Sequence, residues 1–336
     1  MTRAPAHPGA APRPLQFRQL GGATAARLRE ITGAAWVERA EHPTPAPAGY
    51  YRLGGGSLPS PVFAKVLTPT QMARETPASA LADDAARANL PTLHTVGAPV
   101  ALDDTHHVLC WPWVEAQFSV GKPIELAHLG AALRQLHAFF RRQATSAWQA
   151  RGRRALDITW TNLEQLAQTT ERETHWYRAL QHLLQNRSQF EALLLAEAQP
   201  VHDDLHRGNV LFNANGQVTA FLDFEEALDA FATPWLDLSW VTERFCLGPD
   251  TATTRQNTAH FLQAYQPEGF NEPLQITDHR LELLGLWRNL RALALLHKMP
   301  ERPAHWREEW DKFSQVVQRY PTNYSLRPLI LRKSTK

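Results

Sequence analysis

Two hydrophobic patterns divide the chain. Between residues 34 and 114, short apolar runs alternate with turn residues, which is typical of β-strands. The predicted strands are 34–39, 50–53, 62–67, 95–100 and 106–114. From Ile124 onward, apolar residues recur at spacings of three and four, which places them on one face of a helix. The clearest such stripe is Leu126, Leu129, Leu133, Leu136 and Phe140. The pattern predicts a small antiparallel sheet followed by a mostly helical region.

Shorter patterns complete the prediction. Helices are expected at 24–31, 80–88, 160–168, 176–185, 236–245, 258–265 and 281–297. Within the helical region, β-rich residues between 202 and 224 flank the turn 213–216 and predict a β-hairpin. The fold class is therefore α+β. The predicted divisions are a disordered leader 1–15, an N-lobe 16–115, a helical C-lobe 116–330 and a basic tail 331–336.

Composition narrows the class of protein. A chain of 336 residues with 43% hydrophobic and 20% charged residues is globular and long enough for two lobes. The net charge of +2 disfavours a nucleic-acid or membrane-surface partner. Two cysteines, Cys110 and Cys246, cannot form a disulfide framework. With no apolar run of membrane-spanning length, we expect a soluble, cytoplasmic protein whose oligomeric state the sequence leaves open.

The densest group of reactive side chains is HDDLHRGN at 202–209, directly before an apolar strand. The two strands of the predicted hairpin run in opposite directions, so Asn209 and Asp223 lie at the same end of it. An amide and a carboxylate oxygen suit Mg²⁺, which completes its shell with water and substrate phosphates. Asp204 faces the same space without being a ligand, and it is the candidate general base.

These residues carry a resemblance. The pattern HxDLHxGN at 202–209, LDFE at 222–225 and WLDL at 235–238 resembles the aminoglycoside phosphotransferase and choline kinase family. More loosely, VFAKV at 62–66 is similar to the lysine-bearing strand of that family. The resemblance implies a bilobal, protein-kinase-like fold with the site in the cleft. It also implies a small-molecule kinase that uses ATP, or another nucleoside triphosphate, with Mg²⁺.

The resemblance assigns roles to four residues. Asp204 would accept the proton of the acceptor hydroxyl, Asn209 and Asp223 would hold Mg²⁺, and Lys65 would grip the α- and β-phosphates. The acidic partner of Lys65 is Glu75 or, as second choice, Asp84.

The segment 108–114 stands where a hinge would join the lobes, so the Pro112 C=O and the Val114 N–H are expected to bind adenine. The acceptor is a small molecule such as an amino alcohol, a sugar, a homoserine-like metabolite or an aminoglycoside. Acidic residues favour a cationic acceptor and basic residues an anionic one, and both occur in the C-lobe. They are Glu225, Glu226 and Asp229 against Arg280, Arg288 and Arg291.

The chain departs from the family pattern at two places. Asp203 stands where the family commonly has Gly; we expect it to be exposed, and replacement by Gly to be tolerated. A proline-rich turn at 43–49 takes the place of the Gly-rich phosphate loop, and proline lacks the N–H that would bind phosphate. Asp237 is expected to cap a helix or brace a loop, and His202 to be structural.

Two alternatives remain. One is a metal-dependent hydrolase in which His202, Asp204, His206 and Asp223 ligate a transition metal. The other is a catalytically silent kinase-like nucleotide-binding protein.

Overall fold

The computed structural model describes residues 15–41, 46–169, 175–266, 279–299 and 306–318. Nearly all of the predicted leader and the whole of the basic tail lie outside the described residues. Among the described residues, no helix combines the length and the apolar character needed to cross a membrane.

The N-terminal region forms a six-stranded antiparallel sheet in the order β1-β2-β3-β4-β6-β5. Its strands are Phe17–Gln19, Trp36–Ala40, Gly49–Gly54, Val62–Leu67, Val100–Ala101 and His107–Pro112. Helix α1 (Gly22–Thr32) packs on one face, where Leu28 joins Val37, Tyr51 and Leu53 in a buried core. Five strands were predicted; the prediction missed β1, and of the predicted strand 95–100 only Val100 belongs to a strand, the two-residue β5.

Helix α2 (Pro69–Arg87) follows β4 and contacts both lobes. It begins at a capping box in which the Thr68 hydroxyl accepts the Gln71 N–H. Ala78, Leu81 and Ala85 pack into the core of the helical lobe. One face of α2 therefore fixes its position against the C-lobe, and residues near its start face the sheet.

The C-terminal lobe is mostly helical, as predicted. Its helices are α3 Pro123–Gln143, α4 Ser146–Thr169, α5 His175–Gln185, α6 Arg187–Leu195, α7 Trp235–Arg244, α8 Thr251–Tyr265, α9 His279–Lys298 and α10 Trp306–Val317. The sequence pattern missed α6 and α10. Helices α3 and α8 pack closely because Gly130 leaves room for a carbonyl: a Cβ there would stand 2.4 Å from Phe261 O.

Two small sheets support the segment between α6 and α7. Strands β9 (Val210–Phe212) and β10 (Val218–Phe221) form the predicted antiparallel hairpin, and β7 (Gln117–Phe118) pairs with β9. Strand β8 (Gln199–Pro200) pairs with β11 (Phe231–Ala232). The antiparallel N-terminal sheet followed by a helical lobe confirms the predicted fold class, and the cleft between the lobes lies where β4, α2 and the hairpin meet.

Candidate active site

A buried aspartate holds the loop that precedes the hairpin. Asp237, at the start of α7, is fully buried and accepts the backbone N–H groups of His202 and Asp203, both at 2.8 Å. His137 on α3 donates to the same carboxylate at 2.9 Å. Burial alone would raise the pKa of Asp237, but the hydrogen bond and charge of His137 outweigh it and lower that pKa. Asp237 thus braces the loop, as predicted.

The loop presents Asp204 at the cleft with its carboxylate partly exposed. Asn209 donates through Nδ2 to Asp204 Oδ2 at 3.0 Å and to the Asp204 carbonyl at 2.9 Å. His206 Nε2 lies 3.5 Å from the same Oδ2. These contacts fix the direction of the Asp204 side chain. Asn209 uses its amide nitrogen in doing so, and its amide oxygen stays available to a cation.

Lys65 reaches the cleft because of strand alternation. Val62, Ala64 and Val66 point into the N-lobe core, so Lys65 lies on the opposite face of β4. Its Nζ is 2.6 Å from Glu75 Oε2 and 3.7 Å from Asp223 Oδ1. Burial lowers the pKa of Lys65, but Asp223 and Glu75 together raise it above its usual value. The amine is a permanent cation.

The structure selects between the two candidate partners of Lys65. Glu75 is 4% exposed, and its Oε1 accepts a hydrogen bond from the Ser79 hydroxyl at 3.2 Å. This contact holds the carboxylate toward Lys65. Asp84 lies nine residues further along α2, about two and a half turns, and pairs with Arg87 instead. The Lys65–Glu75 pair is therefore the one that forms.

Asp223 follows the second strand of the hairpin. The Leu222 N–H donates to the Asn209 carbonyl at 2.9 Å, which ties Asp223 to the loop that carries Asp204. Carboxylate oxygens of Asp223, Glu75 and Glu225 lie within 4.8 Å of one another. Burial, then repulsion from Asp223 and Glu75, raises the pKa of Glu225 to about 7. This excess of negative charge beside one lysine suits a hard divalent cation.

The candidate adenine site lies at the end of β6. Pro112 is the last residue of that strand, and the Trp113 N–H donates to the Pro61 carbonyl at 3.0 Å. Val114 follows, before β7 begins in the C-lobe. The two predicted groups thus stand on the segment that connects the lobes. The proline-rich turn joins β2 to β3, and its residues 42–45 lie outside the described residues.

The expectation for Asp203 was wrong. Its side chain is 3% exposed and contacts two arginines of α9: Arg288 Nη1 lies 2.5 Å from Oδ1, and Arg291 Nη1 contacts Oδ2. The residue has φ of +61°, a conformation that glycine adopts without strain. A glycine would suit the backbone here, whereas the aspartate makes a buried ion pair with Arg288 and a second pair with the partly exposed Arg291.

Most of the C-lobe charges considered for the acceptor have a partner within the protein. Arg74 of α2 contacts Glu226 Oε1 at 2.7 Å and Glu225 Oε2 at 3.5 Å, which links the lobes. Arg291 also reaches Glu226, at 3.3 Å. Arg280 stacks over Trp235 with its guanidinium carbon 3.8 Å from the ring centroid.

The ligand set of the alternative hydrolase is not assembled. His202 Nε2 donates to the Leu222 carbonyl at 3.0 Å, and its ring packs on Phe224. His206 Nδ1 accepts the Gly208 N–H at 2.9 Å. Within the part of the chain that the structure describes, the one group with metal-ligating geometry contains three carboxylates and no imidazole. His202 is structural, as predicted.

Comparisons with known proteins agree with this geometry. Residues 50–271 match the model of the phosphotransferase enzyme family, which covers more than half of the chain. No curated protein matches by sequence.

Solved structures show the same fold at low sequence identity. A spectinomycin phosphotransferase in complex with ADP and spectinomycin has 13% identity and a TM-score of 0.52, covering 93% of this chain and 97% of that one. An aminoglycoside phosphotransferase from Streptomyces rimosus has 18% identity and a TM-score of 0.51, covering 80% and 96%. A thermostable mutant of another aminoglycoside phosphotransferase has 15% identity and a TM-score of 0.53, covering 87% and 98%.

The fold and the site define a kinase-like phosphotransferase. The chain belongs to the phosphotransferase enzyme family, as the resemblance of its motifs predicted.

Sequence reasoning missed the role of α9. Arg288 and Arg291 stand three positions apart, a spacing that places both on one face of a helix. That spacing, together with a charged residue in place of the usual glycine at 203, is the signal that could have revealed the ion pairs.

Proposed function

We propose that this phosphotransferase moves the γ-phosphoryl group of ATP, bound as its Mg²⁺ complex, onto a hydroxyl group of a small molecule. The observation that carries the proposal is the placement of Lys65 between Glu75 and Asp223, at 2.6 and 3.7 Å, beside the Asp204–Asn209 pair. The 2.9 Å backbone bond from Leu222 to Asn209 joins the two halves of this arrangement. Phosphate binding and proton acceptance thus occur in one cleft.

In this proposal the residues of the cleft divide the tasks of catalysis among them. Asp204 orients the acceptor hydroxyl and takes its proton, and Asn209 and His206 hold the carboxylate in position. Lys65 neutralises the α- and β-phosphates, and Glu75 keeps its amine in place. The Pro112 carbonyl and the Val114 N–H bind the adenine edge.

The donor set fits Mg²⁺. Asn209 keeps its amide oxygen free of the bonds made by Nδ2, and Asp223 is 42% exposed toward the cleft. Both would hold the ion, which would supply positive charge beside the phosphates. Glu225 stands beside Asp223 as a further carboxylate.

The bound molecules of similar structures support the pairing of a nucleotide with a small acceptor. One was solved with ADP and spectinomycin, and another, a hygromycin B complex, contains AMP-PNP. At 14% identity to the latter, the comparison does not carry the acceptor over to this chain. A cytoplasmic location is also proposed, since Cys110 and Cys246 are free thiols and ATP is abundant there.

The test is a coupled ADP-release assay over amino alcohols, sugars, homoserine and aminoglycosides, with Mg²⁺ and ATP or GTP. We expect acceptor-dependent ADP release with ATP. Nucleotide-dependent thermal stabilisation measured in parallel distinguishes an active kinase from a silent binder. Stabilisation without turnover on any acceptor would favour the silent binder, and the absence of both would contradict the proposal.

A further inference from the structure

Arg244 is the last residue of α7, and its guanidinium group is buried with most of its N–H groups lacking a hydrogen-bond acceptor. It is 4% exposed, and its Nε and Nη2 atoms have no hydrogen-bond acceptor. The guanidinium carbon lies 4.0 Å from the centroid of Trp240 and 5.3 Å from that of Phe313. Aromatic rings satisfy the charge in part, but they accept no conventional hydrogen bond.

Such a group is costly. A buried donor left without an acceptor destabilises a protein, and a charged donor does so more strongly. Trp240 adds a third donor, because its Nε1 is also buried without an acceptor. Burial lowers the pKa of Arg244, as does the charge of Arg288, whereas Glu243, Glu309 and Asp204 oppose this shift. Despite these nearby carboxylates, Nε and Nη2 of Arg244 and Nε1 of Trp240 have no hydrogen-bond acceptor.

Other charged groups near Arg244 already have partners. Lys312 of α10 contacts Glu309 at 3.1 Å, and Asn289 donates to Glu243 at 2.9 Å. Arg288 is paired with Asp203. We call the group formed by Trp240, Arg244, Arg288, Lys312 and Phe313 the α7–α10 niche. Within it, Arg244 is the cation whose N–H groups lack acceptors.

The α7–α10 niche adjoins the candidate base. Arg288 Nη2 lies 3.9 Å from Asp204 Oδ1, and the Arg288 guanidinium carbon lies 4.0 Å from the Trp240 centroid. His206, which contacts Asp204, has its pKa lowered by burial and by the charges of Arg244 and Lys312. The phosphate-binding group around Lys65 is a separate set of residues. Arg288 thus contacts both the candidate base and the Trp240 ring on which Arg244 stacks.

We infer that the acceptor carries an anionic group, a carboxylate or a phosphate, which binds Arg244 with help from Lys312. The inference rests on the proposed function and specifies its acceptor as a hydroxy acid or a phosphorylated alcohol. A planar guanidinium with two free N–H groups matches the oxygens of either anion. An amine in the same position would face the charges of Arg244, Arg288 and Lys312.

The first experiment compares acceptors that share hydroxyl groups and differ in charge. Glycerate, glycerol 3-phosphate, glycerol and 3-aminopropane-1,2-diol form one series; gluconate, glucose 6-phosphate, glucose and glucosamine form another. We expect kcat/KM with ATP to be at least about ten-fold higher for an acid or phosphate ester than for its neutral and cationic counterparts, since one charge-assisted bond is worth about that factor. Comparison of the carboxylates with the phosphate esters within each series shows which of the two anionic groups the site prefers. A preference for neutral or cationic acceptors overturns the inference while leaving the proposed function intact.

The second experiment uses inorganic sulfate as a probe and does not depend on turnover. Calorimetric titration of the full chain with sodium sulfate, against sodium chloride at equal ionic strength, should show binding that weakens about ten-fold in Arg244→Gln. Lys312→Gln should weaken it by a smaller factor. Arg27→Gln is the control: Arg27 pairs with Glu30 in the N-lobe, and its loss should leave binding unchanged.

Variants of Arg244 need a check of folding, because the side chain is buried. Arg244→Lys keeps a cation at the site and should retain more sulfate binding than Arg244→Gln at equal thermal stability. If the wild-type protein binds sulfate but no nucleotide, the proposed kinase function is wrong, whereas the anion site at Arg244 stands. Sulfate binding that is absent from the wild type, or equal in the wild type and Arg244→Gln, overturns the inference.

Discussion

Asp203 and Arg288 form a buried ion pair across the C-lobe, with 2.5 Å between Oδ1 and Nη1. Both side chains are less than one-tenth exposed, at 3% and 7%. The pair joins the loop that carries the candidate base to α9, and Arg291 of the same helix adds a second contact. The position of Asp204 therefore depends on a helix far away in sequence.

The first prediction concerns Asp203→Gly, which we now expect to be destabilising. Removing one partner of a buried pair costs about 3–5 kcal/mol, whereas relief of the left-handed conformation returns roughly 1–2 kcal/mol. The net loss is about 2 kcal/mol, measured as the free energy of unfolding in urea. Asp203→Asn, which loses the charge without gaining backbone freedom, should be less stable than the glycine variant. Wild-type stability of Asp203→Gly would show that the two ion pairs contribute no more than the roughly 1–2 kcal/mol that the backbone regains.

Asp204→Asn should reduce turnover by about a hundred- to ten-thousand-fold, the range typical of general-base catalysis. Nucleotide affinity should stay within two- to three-fold of the wild type, about 0.5 kcal/mol, because the variant keeps the shape of the side chain. Steady-state kinetics with calorimetric titration of Mg-ATP checks both quantities. If turnover is unchanged, Asp204 is not the base.

Asp223→Ala should behave differently from Asp204→Asn. It removes a proposed metal ligand and a neighbour of Lys65 at 3.7 Å, so both Mg-ATP affinity and turnover should fall. Titration with ATP in EDTA supplies the control, since metal-free nucleotide should bind the variant and the wild type with similar affinity. A larger loss for metal-free nucleotide than for Mg-ATP would argue against a metal ligand.

Glu75→Gln should raise the KM for ATP by about ten-fold, because the Lys65 amine loses the contact at 2.6 Å that positions it. Asp84→Asn on the same helix is the matched control. Asp84 pairs with the exposed Arg87, so its replacement should leave the KM unchanged. Equal effects of the two variants would indicate a change in α2 as a whole rather than in the Lys65–Glu75 pair.

The effect of Asp237→Asn should depend on pH. The pKa of Asp237 is lower in the folded protein than in the unfolded chain, so its carboxylate stabilises the fold above about pH 4. That contribution is lost as pH falls through the folded-state pKa. The variant should therefore be less stable than the wild type at pH 7 by several kcal/mol, and the difference should shrink toward pH 3. Urea denaturation at both values tests this; a constant difference would contradict it.

Local pattern was sufficient for much of this molecule. The apolar run at 62–67 predicted the strand that carries Lys65, and the turn at 213–216 predicted the hairpin that brings Asn209 near Asp223. These predictions succeeded because strands and hairpin turns follow from neighbours a few residues away. The motif at 202–209, together with 222–225, predicted the class of protein, a kinase-like phosphotransferase.

Long-range pairing was beyond the sequence pattern. Asp203 has a polar side chain and polar neighbours, so the sequence favoured an exposed position, and only packing of α9 shows that it is buried. Arg244 was not singled out, since nothing in a helix sequence reveals which arginine lacks a partner. Strand β1 was missed because three residues carry too little alternation to be distinguished from a loop.

The Asp203–Arg288 pair also implies that the loop carrying Asp204 reaches its final geometry only after α9 has been synthesised. The aspartate leaves the ribosome 85 residues before the arginine that neutralises it. Until α9 has emerged and packed against the loop, Asp203 has no arginine to pair with. The nascent chain then contains every motif of the candidate site, but the loop that carries Asp204 does not yet have its final geometry. Catalytic competence should therefore appear late in synthesis, together with the last helices, rather than when the motif itself is complete.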